Sequence, residues 1–121
     1  MNFRKFTTSS GILILGGKTD KNNEELIAQA ARDEIVLHTS QAGSPFCNIK
    51  GKASKKDIKE AAIFCARHSR DWKKNKGDVE VHYFLGKNIH KEKGMKLGTF
   101  GVKKVKKIKV KKKEIESFGE E

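Results

Sequence analysis

Proline is almost missing from this chain. Pro45 is the one proline in 121 residues, so long disordered linkers are not expected. Cysteine is scarce as well. Cys47 and Cys65 could close one disulfide, but Cys65 falls in a helical apolar pattern, where a buried thiol is the expectation. No apolar run approaches the roughly 20 residues that span a bilayer. The opening Met1-Asn2-Phe3-Arg4 lacks the apolar core of a signal peptide. These absences point to a cytoplasmic protein with no membrane partner. There is no internal repeat and no P-loop or dinucleotide-binding pattern, and Gly16-Gly17 reads as the end of a strand.

Acidic residues are also in deficit, and unevenly. Residues 1–50 carry 6 Lys/Arg against 5 Asp/Glu, whereas residues 51–121 carry 21 against 10, which puts +11 of the formal +12 in the second half. A surface of this kind suits a polyanion, because neutralising phosphates releases counterions and drives sequence-independent affinity. A lysine-rich proteome from a hot or salty habitat would also raise lysine. It would normally raise glutamate too, and no matching excess is present.

The length suits one domain with a modest core, expected over residues 1–115, with 116–121 a short acidic tail that frays. Phe3 and Phe6 mark a first strand, Ser9-Ser10-Gly11 a turn, and Ile12 to Leu15 a second strand. Leu26, Ile27, Ala30 and Ala31 predict a short helix over 24–32, capped by Asn22 or Asn23. Ile35 to His38 and Phe46 to Lys50 read as strands. Ser54, with Asp57 three residues on, caps the clearest helix, expected over 55–75 with Ile58, Ala61, Ala62, Cys65, Ala66, Ser69 and Trp72 inward. Val79, Val81 and Tyr83 alternate as a half-buried strand. The β-branched residues among the terminal lysines predict a hairpin of 99–102 and 105–111, bent near Lys103-Lys104.

These elements make an α+β fold, an antiparallel or mixed sheet of six to seven short strands with one long and one short helix packed on it. The long helix is expected to bury Ile58, Ala62, Cys65 and Trp72 against strands bearing Ile14, Val36 and Val81. Phe6, Leu26, Ile27, Leu37, Ile49 and Tyr83 complete the expected core.

The phrase Arg4 to Gly17, then Asn23-Glu24, His38, Gly43-Ser44, Ile49-Lys50, Ser69, Trp72, Lys91, Gly94 and Gly98, in that order, resembles the NFACT-R domain. The resemblance runs from about Arg4 to about Val110. It implies an RNA-binding module of ribosome-associated quality control proteins. In the long NFACT proteins this domain accompanies an N-terminal domain, a helix–hairpin–helix segment and a coiled coil, which together grip tRNA on the obstructed large ribosomal subunit. In the family the histidine matching His38 precedes an acidic loop residue and a Gly-Ser pair usually followed by a second histidine. Here Ser40 or Gln41 takes the acidic position and Pro45 the histidine's.

A catalytic or metal role for His38 therefore lacks its orienting partners. Two readings stand for it: a histidine satisfied by its own loop, or one beside a phosphate met by Gly43 backbone N–H and the Ser44 hydroxyl. Cys65 and His68 are one helical turn apart, but a zinc site would need two more ligands, and Cys47, His82 and His90 stand at no recognisable spacing. Trp72 reads as a core anchor before a base-stacking platform. The expected RNA-contacting set is Arg4, His38, Gly43, Ser44, Lys50, Arg67, Arg70, Lys73, Lys87, Lys91 and Lys93, with no catalytic residue, metal or cofactor. The expected function is a non-enzymatic module for structured RNA such as tRNA or ribosomal RNA, with the large ribosomal subunit as a further partner. The alternatives are the RNA-recognition component of an RNA-modifying enzyme system and a basic protein-interaction module.

Overall fold

The computed structural model describes residues 2–118. Strands β1 (Arg4–Thr7) and β2 (Leu13–Gly16) form the expected hairpin. Its turn closes with the Gly11 backbone at φ +93°, a left-handed angle that favours glycine. The serines of this turn reach outward to a helix: Ser10 Oγ donates to Asp57, and Ser9 donates to Glu60 through both N–H and Oγ.

Helix α1 (Asp20–Gln29) begins earlier and ends earlier than the apolar spacing suggests. Thr19, not Asn22 or Asn23, is its cap, accepting the Asn22 N–H at 3.1 Å. The two asparagines lie inside the first turn and work as tethers. Asn22 Oδ1 accepts the Lys18 N–H at 2.9 Å, and Asn23 Oδ1 accepts the Phe46 N–H at 3.1 Å.

Strands β3 (Ile35–Thr39) and β4 (Cys47–Lys50) follow, then α2 (Lys55–Arg67) and α3 (Arg70–Asn75). Ser54 and Asp57 form a full capping box on α2. The expected single helix over 55–75 is thus two. Ser69 breaks it because its hydroxyl leaves the helical pattern to accept the Trp72 N–H, at 3.2 Å, and starts a new helix.

Strand β5 (Val79–Leu85) leads through a short 3-10 turn to β6 (Ile89–His90). Strand β7 (Gly101–Val102) pairs with β6, and β8 (Lys106–Val110) pairs with β5. The two terminal strands therefore exist, but they do not form a hairpin with each other. Lys103 N–H instead bonds to Asn88 O at 2.9 Å, and Lys104 takes a left-handed φ of 54° that turns the chain away. Helix α4 (Lys112–Glu116) replaces the first residue of the expected fraying tail, and Phe118 packs its ring 5.0 Å from Phe6. Residues 119–121 of that tail lie outside the described residues.

The main sheet has the order β1-β2-β4-β3-β5-β8, antiparallel throughout, with β6-β7 a second small sheet. The α+β architecture is as expected, though the described residues hold four helices where two were foreseen. One sheet face carries Ile14, Leu37, Cys47, Ile49 and Val81 against Ala62, Phe64, Cys65 and Trp72. Val36 is on the other face, contrary to expectation, because its neighbour Leu37 takes the inward position and side chains alternate along a strand. That second face buries Leu15, Val36 and Phe84 with Phe3, Leu26 and Phe46, partly beneath α1 and the small sheet. Beyond α1 and the small sheet, this face opens into a cleft.

Candidate nucleic-acid interface

The floor of the opening is set by strand register. Gly17 N–H bonds to Phe46 O at 2.9 Å, the Phe46 and His38 rings lie 4.4 Å apart, and His38 pairs with His82 across β3 and β5. Around this row lies a cleft of about 480 Å³. Its lining brings together Arg4, His38, Gly43, Ser44, Arg70 and Lys73 from the expected set. It adds Lys18, His68, His82, Phe46 and Phe100, which the sequence reading missed.

Two cations are held by backbone. Arg4 Nη1 donates to Gly17 O at 2.8 Å, which fixes the guanidinium at the end of β1. Arg70 opens α3, and its N–H donates to Gly43 O at 3.2 Å. Gly43 stands at φ +87°, and a Cβ there would come within 2.9 Å of Arg70 Nε. The glycine is thus needed for its backbone angle and for the space Arg70 occupies.

His38 Nδ1 lies 2.7 Å from Thr39 O, so Nδ1 carries the hydrogen and Nε2 is the acceptor. Burial pushes the His38 pKa down, the nearby His82 adds to this, and the bond to Thr39 only partly opposes it. The imidazole is therefore neutral at physiological pH. His82 Nε2 lies 2.8 Å from Glu80 Oε2.

Ser44 does not offer its hydroxyl to a ligand. It is 6% exposed, donates to Pro45 O at 3.0 Å and accepts the Thr39 N–H at 3.2 Å. Cys65, 3.8 Å from Ser44 Oγ, is buried with Cys47, and both thiols are free. Burial, then the Cys65 thiol beside it, pushes Cys47 well above the ordinary thiol range, so it is no thiolate nucleophile.

Lys50 and Lys91 lie outside the cleft lining and are paired with acidic side chains. Lys50 Nζ lies 2.7 Å from Glu34 Oε1 and 2.9 Å from Gln29 Oε1, joining α1 to the sheet. Burial would raise the Glu34 carboxyl, but Lys50 and the Ala31 N–H more than offset it and hold it low. Lys91 Nζ meets Glu24 Oε2 at 2.6 Å, Lys96 O at 2.6 Å and Thr99 O at 2.9 Å, and sits 4.6 Å over the Phe100 ring. It folds the 96–100 segment into a wall of the cleft. Arg67, Lys87 and Lys93 are exposed outside the cleft.

Trp72 is 5% exposed in the core, with Lys76 Nζ 5.0 Å over its ring, as a core anchor requires. Among the described residues no group of three or more His, Cys, Asp or Glu could hold a metal ion, and no helix is long and apolar enough to cross a membrane.

An antiparallel sheet with α2 and α3 on one face, α1 on the other, and a cationic cleft beside it defines a small basic α+β domain. The family described as the NFACT protein RNA binding domain matches residues 2–104, and the chain belongs to that family. It is 33% identical over 91 residues to the archaeal Rqc2 homolog aRqcH of Methanocaldococcus jannaschii, covering 72% of this chain and 14% of the relative. It is 35% identical over 95 residues to the Rqc2 homolog RqcH of Bacillus subtilis, covering 77% of this chain and 16% of the relative. The chain thus spans a small fraction of these curated relatives. The fold matches the C-terminal part of the fibronectin/fibrinogen-binding protein from Streptococcus suis at a TM-score of 0.84 and 24% identity, over 97% of this chain and 49% of that one.

Proposed function

We propose that this domain is a non-enzymatic RNA-binding module for structured RNA such as tRNA or ribosomal RNA, acting in the cytoplasm. The observation that carries the reading is the cleft, where Arg4, Lys18, Arg70 and Lys73 surround a floor of Phe46, His38 and His82, with Asp20 the acidic residue of the lining. Clustered cations around a partly aromatic floor suit a phosphate backbone and its bases. The family's description supports RNA as the ligand, and the relatives named as Rqc2 homologs support a role in ribosome-associated quality control with the large subunit as partner.

The test is fluorescence anisotropy of labelled bulk tRNA against ionic strength. Affinity is expected to fall on the order of 10³-fold between about 50 and 200 mM salt, for about six phosphate contacts. Arg70→Ala with Lys73→Ala is expected to weaken binding more than Arg67→Ala, with the melting temperature unchanged. A flat salt response, or equal effects of the two sets, contradicts the reading. A flat response would favour a protein-interaction module.

A further inference from the structure

The register that builds the cleft floor does not stop at its edge. His82 pairs with Lys107 on β8, and in the next row Glu80 pairs with Lys109. Side chains two apart on a strand share a face, so Lys107 and Lys109 stand on the cleft side of the sheet with His38 and His82. Both lysines are exposed. Glu80 lies between them. The hydrogen bond with His82, and then the charges of Lys107 and Lys109, hold its carboxyl below the usual range, so its charge is already shared among cations.

The row therefore runs from Gly17 across Phe46, His38 and His82 to Lys107 at the edge strand, and Arg4, opposite Gly16 in the neighbouring row, reaches its start through the bond to Gly17 O. From β2 to β8 it crosses four strand intervals, about 19 Å at the usual spacing of ~4.8 Å. That length matches about six nucleotides of a stacked strand at ~3.4 Å each.

Resting on the RNA-binding reading above, we propose that an RNA strand seated in the cleft continues across the sheet to edge strand β8, where Lys107 and Lys109 take its phosphates. A protective role for these lysines, discouraging strand pairing at an open edge, is a separate account. It predicts self-association rather than altered RNA affinity when they are removed.

The experiment compares single-stranded oligoadenylates of three and ten nucleotides, titrated over a range of salt with wild type, Lys107→Ala/Lys109→Ala, and Lys112→Ala/Lys113→Ala as a charge-matched control on α4. For the decamer, the β8 variant is expected to lose about tenfold in affinity near 100 mM salt. Its salt slope should fall by about 1.4, at ~0.7 per single-strand phosphate. The trimer, which fills only the cleft, should bind all three proteins alike, and the α4 control should match wild type on both. A decamer slope unchanged in the β8 variant, or lowered equally in the α4 control, overturns the proposal while leaving the cleft reading intact. A wild-type domain that binds neither oligonucleotide but binds tRNA overturns this proposal alone, and one that binds neither oligonucleotide nor tRNA overturns both.

Discussion

Asp57 joins two pieces of chain, the start of α2 and the β1–β2 turn, at one carboxylate. It accepts the Ser54 N–H at 2.9 Å and the Ser54 hydroxyl at 3.0 Å within the capping box, and the Ser10 hydroxyl from the β1–β2 turn. The bond from Ser10, then that from the Ser54 backbone, holds its carboxyl far below the ordinary aspartate range. The sign follows from linkage. A carboxyl whose pKa is lower folded than unfolded contributes stability above its unfolded value of about 3.9, and that contribution is lost as pH falls toward the folded value. Asp57→Asn is therefore expected to flatten, though not remove, the drop in stability on acidification below about pH 4, since Glu24, Glu34, Glu80 and Glu114 are also held low. Urea unfolding of both proteins at a series of acid pH values measures this. Parallel curves would show that Asp57 is not a principal acid sensor.

At the scale of elements, the break between α2 and α3 decides where the cleft's cations point. Ser69 is fully buried, its hydroxyl donating to Ala66 O at 2.7 Å while accepting the Trp72 N–H. Ser69→Ala removes the cap and leaves the buried Trp72 N–H short of a partner, while Ala66 O keeps the Ser69 N–H, for an expected loss of about 1–2 kcal/mol. Because Arg70 and Lys73 hang from α3, tRNA affinity should fall with it. A variant that loses neither melting temperature nor affinity would show that α3 holds its place without this cap.

Much of this level was legible in the chain. The first hairpin, the Ser54–Asp57 cap and the β5 alternation are written in neighbouring residues, and so were read correctly. The helix break was not, since Ser69 fits the inward stripe by spacing and only its hydroxyl's choice of partner separates two helices. The pairing of β8 with β5 instead of β7 joins residues 23 to 31 positions apart, which local pattern cannot encode. The site divides the same way. Arg4, His38, Gly43, Arg70 and Lys73 meet in the cleft, but Lys50 and Lys91 are drawn to Glu34 and Glu24, distant acids that a lysine's own neighbourhood does not reveal.

Considered as a whole molecule, the domain separates its apolar core from an open, cationic face, and this separation bears on binding against catalysis. A general base needs a partner to hold its tautomer and a group to activate. His38 has the first from Thr39 O, but the Thr39 hydroxyl is spent on Gln41 O and the Ser44 hydroxyl on Pro45 O and the Thr39 N–H. The Cys47 thiol is buried and kept protonated, and the carboxylate facing this row, Glu80, is bonded to His82. We therefore expect pure protein incubated with bulk tRNA to leave it unchanged, with no cleaved chains and no mass-shifted nucleosides. His38→Ala should change affinity only modestly, because a neutral imidazole neutralises no phosphate. Products that form with the wild type and vanish in His38→Ala would show that the cleft activates a group other than Ser44, and the reading of this domain as a binder would have to give way to that of an enzyme.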